Sequence, residues 1–549
     1  MGAAAAPDRA PSGAGQDWAQ AGKPSATVPW QLLTLLATLG LTVTLHGLMG
    51  HAVPPSLHLP PPLPEPLLRM VDVRPPWRPY LSGRQRQRDL SYYGSGDRLR
   101  AVAAKLLAGQ AITAVTLGGS VTRGAGAGGP DLNYPAMLFK LIAHNFPNRG
   151  HVFLNKGLGG ASSGLFLACT EQMVPATADL VVLEFTANEP PGEPLASPSR
   201  RGYERLIRKL LRLPGRPAAV LLHHYPWWHA FGDGKDAGLF YAEPEGQLTL
   251  FSHYYDLPSV SVRAAVLHDM QSGKQHFRVD QVIQKGEATE RATIPAVAKR
   301  AHDYLFFYHD RVHPSRVGHA VLAELLAVPL AWAVQDAAEE RAAQLWGERA
   351  AQAAESEGGL PPPMIPDTPD APTSFCAMQE AFKGVVVRNK GFAYRAERPE
   401  APTFAEQKWG WSGTRSGGQG RNDIPAGSSA RGSSGGSNAT TESATVMLSY
   451  LRSYAGMGTA KVECKAGCTC QRSTFDASWE QRTSLLQLHS FTVSQHERCR
   501  FRVTILPQSG ATSVDGGHKI MLAAAVVAHF PVTMGATWQL EAALGIASP

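Results

Sequence analysis

The sequence predicts an α/β domain on a parallel sheet, followed by a mostly β, sandwich-like domain. Three observations carry this. Between about 90 and 346, short apolar runs alternate with helix-period stretches, as strands and crossover helices do. A Gly/Pro-rich break then reads as an interdomain linker over 347–374. Beyond it, over 375–549, strand-like runs separated by turn residues replace the helices.

The elements follow in order. Residues 112–117 (Ile-Thr-Ala-Val-Thr-Leu) read as a short buried strand, and 134–146 as a helix with Pro135 in its first turn. Residues 151–154 and 180–185 are the second and third strands. A basic amphipathic helix covers 203–213, with Arg205, Arg208, Lys209 and Arg212 expected on a solvated face. Residues 218–222 make a fourth strand, 259–262 a fifth, and 315–346 a long helix with a kink expected at Pro329. In the tail, 445–451 and 519–522 read as strands and 412–437 as a Gly/Ser-rich mobile loop. No internal repeat stands out.

Composition narrows the classes. The chain has 549 residues, 18% of them charged, with 52 Lys+Arg against 45 Asp+Glu for a net charge of +7. Its 54 Gly and 42 Pro stay below the roughly 25–30% of low-complexity chains. The densest basic cluster, Arg84-Gln85-Arg86-Gln87-Arg88, is too small to argue for a nucleic-acid partner.

Residues 1–27 read as a disordered cytosolic tail, and 28–50, free of charge, as a transmembrane signal anchor. A Pro-rich stem over 51–89 would hold the rest away from a membrane in the Golgi or ER lumen; if the anchor were cleaved, the protein would be secreted. All six cysteines (169, 376, 464, 468, 470, 499) lie beyond the anchor, which suits disulfides in an oxidising compartment. Cys464, Cys468 and Cys470 also allow a zinc half-site, though no second pair with ligand spacing follows. Asn438-Ala439-Thr440 is a glycosylation sequon.

Four segments fall at or near predicted strand exits, where open parallel sheets place their sites. They are Gly118-Gly119-Ser120, the run from Asn155 to Ser163 containing Gly160, Glu184-Phe185-Thr186-Ala187-Asn188-Glu189, and Asp310-Arg311-Val312-His313-Pro314. Acyl transfer needs a hydroxyl with an adjacent base, a carboxylate to orient that base, and preorganised donors for the oxyanion. These segments supply each part.

At these residues the chain resembles the SGNH (GDSL-type) hydrolase superfamily, named for Ser, Gly, Asn and His in four blocks in this order. The resemblance covers roughly 100–335. It implies a flavodoxin-like three-layer α/β/α fold, with Ser120 as nucleophile, His313 as base and Asp310 supporting it. It also implies an oxyanion hole of the Ser120 and Gly160 N–H groups and the Asn188 amide. Two departures are Gly119, where the family's namesake has an acidic residue, and Glu189, where Asp is common.

No cofactor or metal is expected. Gly124-Ala125-Gly126-Ala127-Gly128-Gly129 begins too far past its strand for a dinucleotide fingerprint, and no acidic ribose partner follows. Thr122 stands where a lipase-type elbow needs Gly. The run His223-His224-Tyr225-Pro226-Trp227-Trp228-His229 reads either as a substrate platform at the site mouth or as core. The expectation is thus a membrane-anchored serine esterase or O-acyltransferase acting on acylated carbohydrate or another small ester. The alternative is an inactive scaffold carrying a glycan-binding β domain.

Overall fold

A computed structural model describes residues 72–528, apart from 191–192, 228–243, 285–295, 346–358, 369, 371–372, 379, 398, 400–407, 415–420, 427–442, 480–483, 497 and 514–515. The expected tail, anchor, most of the stem and the sequon lie outside the described residues.

The α/β domain runs α1 (Gly83–Asp89), β1 (Leu90–Tyr92), α2 (Asp97–Leu107), β2 (Thr113–Gly118), α3 (Ser120–Arg123), α4 (Tyr134–Asn145), β3 (Val152–Asn155), α5 (Ser163–Ala168), α6 (Thr170–Met173) and β4 (Leu180–Glu184). It continues through α7 (Pro198–Leu211), β5 (Ala218–His223), α8 (Glu245–Tyr255), β6 (Ser259–Ser261), α9 (Val262–Gln271), the short pair β7 (Gln281–Val282) and β8 (Ala296–Val297), and α10 (Arg316–Leu345). The main sheet has the order β1-β6-β5-β4-β2-β3. Its strands are parallel except β1, which pairs antiparallel with β6.

Strand side chains alternate between faces, and here both faces are apolar. Val181, Leu183, Ala219 and Leu221 enter one core with α5, α7 and α8. Leu180, Val182, Ala218 and Val220 enter the other with α2, α4, α9 and α10. A sheet covered on both sides loses its polar alternation, which is why these strands read as unbroken apolar runs. The result is the expected three-layer α/β/α sandwich. Among the described residues one helix is long and apolar enough to cross a membrane, over 316–341 of α10, and most of it is buried in this core.

The second domain runs β9 (Thr373–Met378), α11 (Glu380–Val385), β10 (Arg388–Lys390), β11 (Phe392–Ala396), β12 (Trp409–Gly413), β13 (Arg421–Ala426), β14 (Ser443–Arg452), β15 (Gly458–Ala466), β16 (Ser473–Asp476), β17 (Leu485–Ser494), β18 (Cys499–Ser509) and β19 (Ile520–Ala528). It forms two antiparallel sheets, β10-β13-β18-β15-β16 and β11-β12-β19-β14-β17, with β9 joined to β19. β19 is buried along all nine residues. Its sheet is enclosed from both sides: Ser449, Ala523 and Ala524 line a crevice with Leu158 and Leu165 of the α/β domain. The apolar core of the β domain is continuous with the α5/α7 side of the α/β domain.

Three expectations are corrected, and one alternative drops out. The stem does not stay extended to 89: Trp77 Nε1 and the backbone N–H of Leu81 donate to Glu324 of α10, at 3.0 and 2.8 Å. The basic face of α7 is only partly solvated: the linker lies on Arg208, while Arg212 stays exposed. Arg208 donates to Asp370 Oδ1 at 3.0 Å and to the Pro361 carbonyl at 2.6 Å, and its side chain is 3% exposed. Part of the expected loop is strand β13, which pairs with β18 from Arg421 to Ala426. The zinc reading fails because its thiols are consumed in Cys464–Cys470 and Cys468–Cys499 disulfides. Those two bonds also account for the close grouping of the Cys464, Cys468 and Cys499 sulfurs. A third disulfide, Cys169–Cys376, joins the two domains.

Candidate active site

Chain geometry sets each group in place. β2 ends at Gly118, and Ser120 opens α3, whose first N–H groups have no acceptor within the helix. Gly119, between them, has φ −83°, so it is not left-handed geometry that requires glycine. The Asn188 side chain is what requires it: a Cβ on Gly119 would sit 2.0 Å from Asn188 Oδ1. A larger residue at this position would push the Asn188 amide aside. Asn188 itself is turned back after β4, its N–H donating to the Phe185 carbonyl at 2.7 Å.

The loop after β3 lies along α3. Leu158 N–H donates to the Gly118 carbonyl at 3.0 Å and Asn155 Nδ2 to the Thr122 carbonyl at 2.8 Å. Gly157 approaches α3 so closely that a Cβ would sit 2.3 Å from Arg123 N. Gly160 follows in this loop with φ +74°, a left-handed turn that suits glycine.

On the opposite side, Pro314 keeps His313 out of the helix that starts at Arg316. Asp310 Oδ1 accepts the N–H groups of Val312 and His313, both at 2.8 Å, closing a tight turn. His224 Nε2 meets the Val312 carbonyl at 2.9 Å and holds the turn from below.

The three central groups form one hydrogen-bonded chain. His313 Nδ1 lies 2.7 Å from Asp310 Oδ2, and His313 Nε2 lies 2.8 Å from Ser120 Oγ. The carboxylate only accepts, so Nδ1 carries the proton and Nε2 is left to accept from the serine hydroxyl. Both Asp310 and His313 side chains remain 24% exposed, open to a substrate. Burial works to raise the Asp310 pKa, but the imidazole and the turn N–H groups outweigh it and hold the carboxyl below its usual range. Burial works against the His313 cation, but the Asp310 charge and hydrogen bond outweigh it, Glu184 adds to them, and the His313 pKa is raised.

Behind Ser120 lies a network that sequence reasoning did not assign. Glu184 is fully buried and accepts from Thr122 Oγ1 at 3.1 Å; Thr122 Oγ1 also meets the Tyr134 hydroxyl at 2.8 Å. Burial pushes the Glu184 carboxyl up to about 7, against the pull of Thr122 and His313. Glu189, the second departure, accepts the Ser163 N–H at 3.1 Å, at the start of α5, and pairs with buried Arg200 at 3.5 Å. Arg200 donates in turn to the Pro190 carbonyl at 2.7 Å and to Gln247 at 2.6 Å. His223, His224, Tyr225 and Trp227 are buried, so these four are core and offer no platform; Trp228 and His229 lie outside the described residues.

The structure thus joins Ser120, His313 and Asp310, sets Asn188 against the residue before the serine, and places Gly160 in the adjoining loop. No protein-family model matches the chain, and no curated protein matches it. Among solved structures, a two-domain esterase (CEX) active on acetylated mannans matches with TM-score 0.50 at 18% identity, over 81% of this chain and 98% of its own. The same esterase co-crystallized with mannopentaose gives 0.48 at 17% identity with equal coverage. A G-D-S-L family lipolytic protein from Desulfitobacterium hafniense covers 40% of this chain and 98% of its own, at 13% identity and TM-score 0.23. At such identities the likeness is one of fold. By sheet order and by the domain that follows the sheet, the chain shares the two-domain architecture of that esterase, a three-layer α/β/α domain extended by a C-terminal β domain.

Proposed function

We propose that the protein is a serine esterase, or an O-acyltransferase, working through an acyl-serine intermediate on O-acylated glycans. One observation carries the chemistry: the unbroken Ser120–His313–Asp310 hydrogen-bond chain at a sheet's strand exits. His313 Nε2 takes the Ser120 proton as Oγ attacks the ester carbonyl carbon. The oxyanion that forms is met by the Ser120 and Gly160 N–H groups and the Asn188 amide. As the C–O bond breaks, His313 returns the proton to the leaving alcohol. Water, or a sugar hydroxyl in the transfer version, then gives its proton to His313 as its oxygen attacks the acyl carbon, and His313 passes that proton to Ser120 Oγ as the acyl–Oγ bond breaks. Asp310 stays ionised and stabilises the imidazolium in both half-reactions.

The glycan part of the reading is supported by the two-domain fold shared with an esterase active on acetylated mannans. Three disulfides among the described residues support an oxidising compartment. A lumenal or extracellular domain anchored through 28–50 is part of the proposal. The intact hydrogen-bond chain disfavours the inactive-scaffold reading.

The test is fluorophosphonate labelling of the protein secreted from a eukaryotic host, with turnover of p-nitrophenyl acetate and acetate release from acetylated mannan. Ser120→Ala should abolish labelling, and both Ser120→Ala and His313→Ala should abolish turnover. Folded protein that neither labels nor turns over overturns the proposal.

A further inference from the structure

The β domain reaches the catalytic loop through its backbone. β17 is the outer strand of its sheet, paired on one side with β14, where Leu451 faces Leu486. N–H groups on the free side of an outer strand are open to partners. Leu486 uses its N–H to donate to the Gly160 carbonyl at 3.3 Å. Beside it, Leu485 Cα and the Ser484 carbonyl lie 3.1 and 3.2 Å from where a Cβ on Gly160 would be. The Ser484 carbonyl is itself held by Lys408 Nζ at 2.8 Å, and Lys408 pairs with Glu397 at 3.4 Å. At the far end of the same stretch, Cys169 is bonded to Cys376 of β9. The segment from Gly160 to Cys169 is therefore tied to the β domain at both ends.

We infer that Leu486 is a positioning residue for the oxyanion hole, so that a set hole requires the docked β domain. The inference rests on the proposed role of Gly160. A glycine at φ +74° has more backbone freedom than any other residue, whereas an oxyanion donor works only when held to about 0.5 Å. Fixing the Gly160 carbonyl limits rotation about that residue and steadies the N–H on its other side. The outer strand of the β domain supplies the fixing contact, and the α/β domain supplies the nucleophile.

The experiment compares Leu486→Pro with Leu486→Ala in the full chain, using kcat and KM for p-nitrophenyl acetate on the pH-independent plateau. Proline removes the N–H at a position facing away from the sheet, where proline is tolerated. Alanine keeps the N–H and removes the side chain. The expected result is a kcat fall of about 10- to 100-fold for the proline variant, with KM within about twofold. The alanine variant should stay within about threefold of the parent, because the donor remains. Unchanged kcat in Leu486→Pro overturns the inference, as does an equal fall in Leu486→Ala, which would assign the effect to packing. If circular dichroism shows Leu486→Pro unfolded, Lys408→Met decides. Loss of its hold on Ser484 should lower kcat several-fold at constant KM, and no change overturns the inference. Ser120→Ala runs alongside: residual turnover there would refute the nucleophile, whereas an inactive Ser120→Ala with a normal Leu486→Pro refutes only the role of Leu486.

Discussion

Replacing Gly119 by alanine should disable the site without touching any group that reacts. The φ of Gly119 is −83°, outside the left-handed region. The obstacle is the new methyl, which would lie 2.0 Å from Asn188 Oδ1, 2.5 Å from Cγ and 2.7 Å from Nδ2. Ordinary contact begins near 3.4 Å, so the amide must retreat by about 1.4 Å. An oxyanion donor displaced that far no longer reaches the tetrahedral oxygen. Loss of one such donor costs about 2.7–4 kcal/mol, or roughly 10²–10³ in kcat. KM should change little, since the contact is made in the transition state. The assay is a double-mutant cycle on p-nitrophenyl acetate with Gly119→Ala, Asn188→Ala and the pair, with circular dichroism confirming the fold. Asn188→Ala alone should lose about as much as Gly119→Ala, and the double variant should lose no more than Asn188→Ala. A Gly119→Ala variant within about threefold of wild type, or a double variant whose losses add, would refute the displacement argument.

The remaining predictions concern charge. His313 acts as a base only when neutral, so kcat/KM should rise with pH through a pKa above the ordinary value of about 6.5. Asp310→Asn removes the charge that raises it most and should move the acid limb to lower pH, while Glu184→Gln should move it less, since burial pushes that carboxyl up to about 7. Asp310→Asn should also lower the plateau on the order of 10²–10⁴-fold; pH–rate profiles read both effects. The sign for stability is opposite. The raised His313 pKa stabilises the fold fully below about 6.5 and loses that contribution as pH climbs through the raised value. The depressed Asp310 pKa stabilises above about 3.9 and fades as pH falls below it. Elsewhere, Arg200→Ala leaves fully buried Glu189 without its cation and should destabilise by about 3–5 kcal/mol, measured from urea midpoints. A cost under about 1 kcal/mol would show that the pair is dispensable.

The blocks that meet around Ser120 were legible because a parallel sheet leaves few places for a site, and short motifs mark its strand exits. Asp310-x-x-His313 could be read because its spacing is local, one turn closed by Oδ1 on two N–H groups. Partners far apart in sequence could not be read. Arg208 looks like any surface arginine on a basic helix face; only the fold brings Asp370, 162 residues on, to meet it. β1 spans three residues and pairs antiparallel at the sheet edge, too short to show a period. His223, which ends β5, and His224 after it matched a binding-site pattern and a core pattern equally, and burial decided between them. The second domain followed the same rule. Two of its strands, over 445–451 and 519–522, could be read from composition, but that its outer edge would meet Gly160 depends on a contact between residues 326 apart. Two domains that share one apolar core, and whose contact reaches the loop carrying Gly160, act as a single cooperative unit. Weakening the interface should appear in kcat before it appears as lost folded protein.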